Sequence, residues 1–315
     1  MSCKNLTIQQ AIKDFLAKAK ENLKQSTFAR YSFICERHII PYFGNIKLID
    51  LNNDLVNDFI QLKLNGGGLK KGNPLSSKSV NDMVCLLLQI TKKYFKFDMD
   101  IKKPSYIQKE ISIFTQSEYN RLKSYLSIGT DSKKLGIIVV MLTGIRIGEL
   151  CALKWENIDL ENGVIFIDKT MQRIKTTDNT EERKTKIIID VPKSHTSIRT
   201  IPIPSILLNK LKQWEFNKSH DTYLITNTKK YIEPRVYQRN FKSYLKACNI
   251  RDNKFHVLRH TFATMAISKG IDIKTVSLLL GHSDVSFTMK RYVHPNIEHK
   301  RVQIEKLAVD FWLTE

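Results

Sequence analysis

The sequence predicts an α+β protein, in which an all-α domain is followed by a larger domain that is mainly α with a small β-sheet. Apolar residues recur at helical spacing through the first hundred residues. A capping box, Thr115-Gln116-Ser117-Glu118, begins a new helix, and strand-like stretches are confined to residues 164–203. The 315 residues therefore divide into a helical domain at 1–100, a basic, Pro-containing linker at 101–113 and a second domain at 114–315.

Four helices are predicted in the first domain, each beginning at a residue that can cap a backbone or that follows a loop. Their starts lie at Thr7, at Ser26 or Thr27, at about Leu51, and at Ser76 or Ser77. Pro41 and Gly44 are expected to end the second helix, because proline lacks an amide donor and glycine favours a turn. The third is expected to end near Leu64, ahead of three glycines.

The loop NGGGLKKGNPLS joins the last two of these helices. Its flexibility and charge suit a phosphate backbone, although a plain turn with solvated lysines explains it equally well. A nucleotide-binding P-loop is excluded, because Asn73 stands where that motif requires lysine. The candidate nucleic-acid contacts of this domain are Lys70, Lys71, Lys78 and Arg30.

The second domain begins with helical patterns and contains a buried helix over Leu135 to Leu142. Three segments are strand-like by composition and alternation. They are Val164–Asp168, Lys186–Val191 and Ile198–Ile203. From Ser205 onward the pattern is mostly helical.

The chain is strongly basic, with 51 Lys and Arg against 31 Asp and Glu, a net charge of +20 and a pI near 9.6. Both parts contribute, because residues 1–110 carry +8 and the remainder +12. An extended polyanion is the natural partner of such a chain, since each neutralised phosphate releases counterions. A basic protein with no nucleic-acid partner is the simpler alternative.

Several classes of protein are excluded by composition. The five cysteines form no CxxC pair, which favours reduced thiols over disulfides or a zinc site. The N-terminus lacks the apolar core of a signal peptide, and the apolar run from Ile137 to Leu142 is too short to span a bilayer. We therefore expect a cytoplasmic protein without a membrane partner.

Four segments of the second domain carry candidate catalytic residues. They are TGIRIGEL, VPKSHTSIRTIPIP, HVLRH and LGHSDVSFTMKRY. Each has an ordinary explanation when it is taken alone. Arg146 could pair with neighbouring Glu149, Lys193 could be a solvated turn residue, and Tyr292 could lie on a helix face. His256 and His260 have the spacing of zinc ligands, but Val257 stands where a metalloprotease helix needs Glu.

The combination of these segments favours cleavage of a phosphodiester by a tyrosine. A phenol with a pKa of about 10 needs a cationic environment and a proton acceptor before it can attack phosphorus. Guanidinium groups offer fixed forks for the phosphate oxygens, histidines exchange protons near neutrality, and a lysine can protonate the leaving oxygen. Such a site needs no divalent cation.

In order and spacing the segments resemble the motifs of the tyrosine recombinase (phage integrase) family, and STFARYSFICERHIIPYFGNIKL resembles a segment typical of integrases. The resemblance implies that Arg146 and Arg259 clamp the scissile phosphate and that Lys193 is the general acid. His256 and His282 would assist, and Tyr292 would form the 3′-phosphotyrosine bond. Glu149, by orienting Arg146, and His260 would be supporting residues.

The same resemblance implies an architecture and partners. The first domain would be a SAM-like, core-binding helical bundle that forms a C-shaped DNA clamp with the catalytic domain. Four copies would hold two duplexes with inverted-repeat core sites and exchange strands through a Holliday junction. A tail helix at about residues 298–315 would dock on a neighbouring protomer or on its own domain. No metal or ATP would be required, and accessory DNA-bending or directionality factors could take part at the nucleoid.

Several biological roles are compatible with these motifs. Integration and excision of a phage or conjugative element is favoured by the motifs, whereas a start directly at the core-binding domain is typical of Xer-type enzymes that resolve chromosome or plasmid dimers. A catalytically silent DNA-binding regulator is the alternative of another class, and the intact residue set argues against it. A relaxing topoisomerase or nicking enzyme would share the tyrosine chemistry.

Overall fold

The computed structural model describes residues 5–69, 72–94, 100–105, 111–129, 131–176, 184–192, 195–215, 219–292, 301 and 304–305. The chain forms two compact units. The first comprises Met1–Lys109 with Ile174–Lys186, and the second comprises Glu110–Arg173 with Ile187–Glu315. The predicted helical character of the chain, with a small amount of sheet, is confirmed.

The first unit is helical, and side-chain caps at Thr7, Asn52 and Ser76 begin three of its helices, whereas the second begins at Gln25, ahead of the predicted Ser26 or Thr27 and without a side-chain cap. Its helices are α1 (Ile8–Asn22), α2 (Gln25–Ile34), α3 (Ile40–Phe43), α4 (Asn53–Asn65) and α5 (Ser77–Lys92). The predicted caps are confirmed at Thr7, which forms a capping box with Gln10, and at Ser76, whose hydroxyl accepts from the Ser79 amide. The apolar faces of these helices meet in one core around Phe43, Phe59 and Leu87.

The prediction that Pro41 ends the second helix is wrong. A π-helical turn, Cys35–Ile39, continues α2 directly into α3. Pro41 then lies in the first turn of α3, directly after this wider π-helical turn, which carries the helical conformation past the residue that cannot donate an amide. The helix ends at Gly44 instead, as the sequence predicts.

The helices of the second unit fall on both sides of the strands in sequence. Before the strands are α6 (Gln116–Ser127), α7 (Ser132–Thr143) and α8 (Ile147–Ala152). After the strands are α9 (Ser205–Glu215), α10 (Pro234–Ala247), α11 (His256–Ser268), α12 (Ile273–Leu280) and α13 (Val285–Tyr292). The predicted capping box at Thr115 and the predicted buried helix, which is α7, are both confirmed.

The strands that the structure describes lie between α8 and α9 in sequence and form two small sheets. They are β1 (Ile158–Asp159), β2 (Val164–Ile167), β3 (Thr170–Lys175), β4 (Thr185–Asp190) and β5 (Arg199–Pro202). The order β1-β2-β5 makes an antiparallel sheet, with Ile165 opposite Ile201, and β3 pairs with β4. The sequence prediction omits β1, which is only two residues long, and β3, whose polar residues hide its alternation.

The C-terminal end of α7 lies close to α11 in the core of the second unit. Helix α7 is apolar and buried, and α11 packs against it. It ends at Gly144, whose φ of +67° lies in the left-handed region that glycine favours. A Cβ atom there would lie 2.4 Å from Cδ1 of Phe262, so glycine also allows the close approach of α11.

Among the described residues, no helix is both long and apolar enough to cross a membrane. The cysteines of the described part, Cys35, Cys85, Cys151 and Cys248, are free thiols.

We predict that Gly144→Ala destabilises the protein more than Gly270→Ala. Gly270 also has a positive φ, +85°, but no atom lies within 4 Å of its added Cβ, so backbone strain alone costs about 1 kcal/mol. At Gly144 the clash with Phe262 adds about 1–3 kcal/mol for overpacking. Urea unfolding of the two variants measures the difference, and equal losses would show that Phe262 moves aside without cost.

Candidate active site

The chemically active side chains converge where four chain segments meet in the second unit. Arg146 caps the start of α8, directly after the turn that ends α7. Arg259 and the histidines at 256 and 260 lie in the first two turns of α11. His282 follows the end of α12, and Tyr292 is the last residue of α13. Residues up to 146 positions apart in sequence therefore share one site.

Arg259 is the most deeply buried cation of this cluster, with 1% of its surface exposed. Its Nη1 donates to the Gly144 carbonyl at 2.8 Å, and its Nη2 donates to the Leu280 carbonyl at 2.6 Å. Burial, reinforced by repulsion from Arg146, lowers the pKa of Arg259 to about 9. The side chain is therefore charged at neutral pH and fixed in orientation by backbone oxygens.

The end of α12 is capped by three arginines. The Leu279 carbonyl accepts from Arg199 Nε at 2.7 Å, that of Leu280 from Arg259, and that of Gly281 from Arg146 Nη2 at 3.0 Å. The last carbonyls of a helix have no partner within it and carry the negative end of the helix dipole. Guanidinium donors satisfy these oxygens, and the oxygens offset part of the repulsion among the cations.

Among the described residues, Glu149 supplies the carboxylate that binds the arginines of this cluster, and its side chain is 1% exposed. Its oxygens accept from the Arg146 amide at 2.8 Å and from Arg146 Nη1 at 2.7 Å. They also accept from Arg199 Nη2 at 2.9 Å and Nη1 at 3.2 Å. Burial alone would raise the pKa of Glu149, but the charges and hydrogen bonds of Arg199 and Arg146 outweigh it, so the pKa lies below its ordinary value.

The contacts of His282 define its tautomer. Its Nε2 lies 3.0 Å from Nη2 of Arg259, which can only donate, so Nε2 must be the acceptor. The proton of the neutral ring then sits on Nδ1, which lies 2.7 Å from the hydroxyl of buried Thr288 and donates to it. Burial and the charges of Arg259 and Arg146 lower the pKa of His282 to about 3.

Tyr292 is buried, with 7% of its surface exposed, and its hydroxyl lies 2.7 Å from Nδ1 of His260. Its ring is parallel to that of His282, with centroids 6.5 Å apart. Burial raises the pKa of Tyr292, against an opposite influence from Arg259. Burial and the charge of Arg291 lower the pKa of His260 to about 4, so the resting pair is a neutral phenol beside a neutral imidazole.

His256 stands at the open side of the cluster. The residue is exposed, and its ring meets the ring of His260 edge-on with centroids 4.8 Å apart. The ring is therefore accessible from outside the cluster.

Most of the residues singled out from the sequence are brought together by the fold. This set contains Arg146, Glu149, His256, Arg259, His260, His282 and Tyr292. Lys193, Lys70 and Lys71 lie outside the described residues. Arg30 and Lys78 lie apart in the first unit, where Arg30 donates to Asp82 at 2.6 Å and Lys78 is exposed in the first turn of α5.

One member of the cluster, Arg199, is not among the predicted site residues. It lies in the segment VPKSHTSIRTIPIP, at the start of a strand, where an arginine is ordinarily solvated. Its side chain is instead 7% exposed, because it pairs with Glu149 from a position 50 residues away in the sequence. The sequence offers one signal, which is that this arginine stands within one of the four segments that carry the predicted site residues.

Chemically, the cluster is a preorganised anion site. Three guanidinium groups face one carboxylate, so the group carries excess positive charge, and 33% of the Arg146 side chain remains open to solvent. An oxyanion with two or more free oxygens, such as a phosphodiester, matches the planar donors. In the part of the chain that the structure describes, no three His, Cys, Asp or Glu residues are grouped as a metal site would require.

Comparison with known proteins identifies two matching families of domains. The phage integrase family matches residues 112–299, and the phage integrase N-terminal SAM-like domain matches residues 7–64. The chain is 30% identical to a XerC-like tyrosine recombinase of Caldanaerobacter subterraneus over 90% of this chain and 78% of that protein. It is 23% identical to the ICEBs1 integrase of Bacillus subtilis over 96% of this chain and 83% of that protein.

Solved structures match the fold over nearly the whole chain. The Tn1549 transposon integrase, in complex with a circular intermediate DNA, matches with a TM-score of 0.74 and 19% identity over 96% of this chain and 100% of that chain. A lambda integrase dimer bound to a core site matches with a TM-score of 0.63 and 16% identity over 93% of this chain and 79% of that chain.

We predict that acidification destabilises the protein through His282. Its pKa is about 3 in the folded state, against an ordinary value near 6.5, so the unfolded chain binds the extra proton first. This contribution to stability is complete above pH 6.5 and is lost as the pH falls towards 3. Between pH 7.5 and pH 5 we expect Tm to drop by roughly 3–6 °C on this account.

Thermal melts of His282→Gln test the assignment, because glutamine retains an acceptor for Arg259 but does not titrate. The variant should lose part of the pH dependence, whereas His220→Gln, at an exposed site outside the cluster, should keep all of it. An unchanged slope in His282→Gln would contradict the prediction.

Proposed function

Because the chain belongs to the phage integrase family, whose members are tyrosine-type DNA strand transferases, we propose that it cleaves and rejoins DNA through a 3′-phosphotyrosine bond at Tyr292. One observation carries the proposal. The Tyr292 hydroxyl lies 2.7 Å from a histidine, inside the same cluster as the guanidinium groups of Arg146 and Arg259. A nucleophile, a proton acceptor and fixed donors for phosphate oxygens are therefore available together.

In the proposed reaction the Tyr292 oxygen attacks the scissile phosphorus, and the bond from phosphorus to the 5′-oxygen breaks. Arg146 and Arg259 hold the non-bridging oxygens, where negative charge develops. The phenolic proton passes to His260, and Lys193 protonates the departing 5′-oxygen. Rejoining reverses these steps, so the phosphotyrosine retains the energy of the broken bond, and we propose that neither metal nor ATP is required.

Binding of the phosphate would itself raise the pKa of the histidines. In the free protein burial, together with the charges of Arg291 and Arg259, lowers the pKa of His260 to about 4, which makes it a poor acceptor for a phenol. A phosphodiester adds a negative charge beside Arg259 and Arg146, and a neighbouring anion favours the protonated form of an imidazole. Proton transfer from Tyr292 is thereby coupled to the arrival of DNA.

We assign the remaining roles from the family and from position. His256 and His282 would assist phosphate binding and proton transfer, and Glu149 would orient Arg146. The first domain, at 1–100, would hold the duplex through Arg30, Lys70, Lys71 and Lys78, where Asp82 must share or release Arg30. The linker would cover 101–113, and the domain at 114–315 would be catalytic.

The proposed substrate is double-stranded DNA with inverted-repeat core sites, held by four copies of the chain in association with the nucleoid in the cytoplasm. The bound forms of the Tn1549 and lambda integrases, each solved with DNA, support DNA as the partner. The tail at about 298–315, nearly all of it outside the described residues, would dock between copies. Accessory DNA-bending or directionality factors belong to the same proposal.

We propose integration and excision of a mobile element as the biological role, because the catalytic segments are typical of integrases of phages and conjugative elements. The similarity to the ICEBs1 integrase over 96% of the chain supports this role. The XerC-like relative, at 30% identity, makes resolution of chromosome or plasmid dimers the second candidate.

We predict that Tyr292→Phe abolishes covalent capture of DNA. A duplex nicked beside the cleavage position releases a short fragment after attack and traps the adduct, which a denaturing gel resolves. Wild type should form the adduct, and the variant should form none, because it lacks the attacking oxygen. Tyr231→Phe, at an exposed tyrosine, is the matched control. Sequence-specific binding without an adduct from wild type would instead identify a regulator.

Recombination assays separate the biological roles. We expect the chain to recombine an attachment site taken from the junction of a neighbouring mobile element with its empty target site, and to leave plasmids without these sites unchanged. Efficient recombination of two chromosomal dimer-resolution sites, with no reaction on the element junctions, would favour the Xer-type role. Relaxation of arbitrary supercoiled plasmids would indicate a topoisomerase.

A further inference from the structure

The Glu149 carboxylate of the site is bound by Arg199, an arginine that is almost fully buried. We propose that Arg199 is a positioning residue for strand cleavage, which fixes the Glu149 carboxylate and through it the Arg146 guanidinium that meets the scissile phosphate. The inference rests on the proposed function and adds a residue and a role to it. Arg199 lies on β5, whereas Glu149 and Arg146 belong to α8 and its cap.

The carboxylate is shared between the two arginines. Arg199 approaches as a fork, with Nη2 2.9 Å from Oε2 and Nη1 3.2 Å from Oε1 of Glu149. Arg146 uses the same two oxygens, through its amide to Oε2 and its Nη1 to Oε1. Because Arg199 fixes the Glu149 carboxylate, the Arg146 guanidinium that bonds to the same carboxylate is also held in one position.

Exposure distinguishes the two arginines. The Arg146 side chain is 33% exposed, so part of it can meet a phosphate, whereas that of Arg199 is 7% exposed. Arg199 thus acts through Glu149 and not on DNA, because its charge pairs with the buried carboxylate.

Further contacts fix Arg199 itself. Its Nε donates to the Leu279 carbonyl at 2.7 Å, and its Nη1 also donates to the Ser197 carbonyl at 3.0 Å. The backbone of Gly281 passes so close that an added Cβ would lie 3.0 Å from Nη1. A lysine could keep the charge in this space, but it could not make the fork and the Nε bond together.

The electrostatics make the role dependent on pH. The charged groups around Glu149 are Arg199 on β5, Arg146 before α8 and Arg259 on α11, and His282 faces the same arginines after α12. Burial favours the neutral form of Glu149, and Arg199 is the first of the groups that oppose it. Without Arg199 the carboxyl group gains a proton at higher pH, and a protonated carboxyl no longer accepts both bonds from Arg146.

The test is the rate of covalent adduct formation on the nicked duplex, with enzyme in excess over DNA, from pH 5.5 to pH 9. For Arg199→Met we expect a loss of about 100-fold at pH 6, the scale on which a misplaced catalytic group acts. The loss should shrink as pH rises, so that the acid limb of the profile moves to higher pH. Arg199→Lys should fall between wild type and Arg199→Met.

A double-mutant cycle identifies the partner through which Arg199 acts. In a Glu149→Gln background the carboxylate is already gone, so Arg199→Met should cost at least ten-fold less than in wild type. The matched control is Arg251→Met, which removes a surface arginine that also pairs with a glutamate, Glu118, and a backbone carbonyl. This control should leave the rate and the pH profile unchanged.

The outcomes are distinct. Absence of any adduct from wild type would overturn the proposed function, whereas an active wild type with Arg199→Met within two-fold of it at every pH would overturn this inference alone. A loss that is equal at every pH and independent of the Glu149 background would show that Arg199 serves only to hold the fold. If Arg199→Met does not fold by thermal melting, the pH profile of Arg199→Lys and its cycle with Glu149→Gln decide the question.

Discussion

The arrangement of this site depends on how three arginines are held close together without an equal number of acids. The C-terminal carbonyls of α12 receive one donor from each of Arg146, Arg199 and Arg259, and Glu149 is bound by the first two. A helix end and one buried carboxylate together offset the repulsion that would otherwise push these side chains into water. The excess positive charge remains available to an anion.

Burial and the same excess charge together set the protonation states of the neighbouring residues. They lower the pKa of His282 to about 3 and that of His260 to about 4, so both rings are neutral in the free protein. A neutral His282 can accept from Arg259, and a neutral His260 can face the Tyr292 hydroxyl. Hydrogen bonds therefore hold both neutral rings in place, and a negative charge beside the arginines would favour their protonated forms.

Local signals in the sequence predicted the elements that local interactions form. The capping residues Thr7, Ser76 and Thr115 each begin a helix as expected, because a cap depends on only a few neighbouring residues. Pro41 was misleading, since the helix continues through a π-helical turn just before it, and no local pattern in the sequence signals that turn. Strand β3 was missed because its pairing with β4 outweighs its polar composition.

The sequence by itself determined the set of residues, since the types and spacing of Arg146, Arg259, His282 and Tyr292 already indicate phosphoryl chemistry with a tyrosine nucleophile. Only the tertiary structure decided how they are held: the proton of His282, the partner of the Tyr292 hydroxyl, and the burial of Arg199 against Glu149. The reason is separation along the chain. The bond from Arg146 to Gly281 joins residues 135 positions apart and that from Arg259 to Gly144 joins residues 115 apart, and no local pattern encodes such contacts.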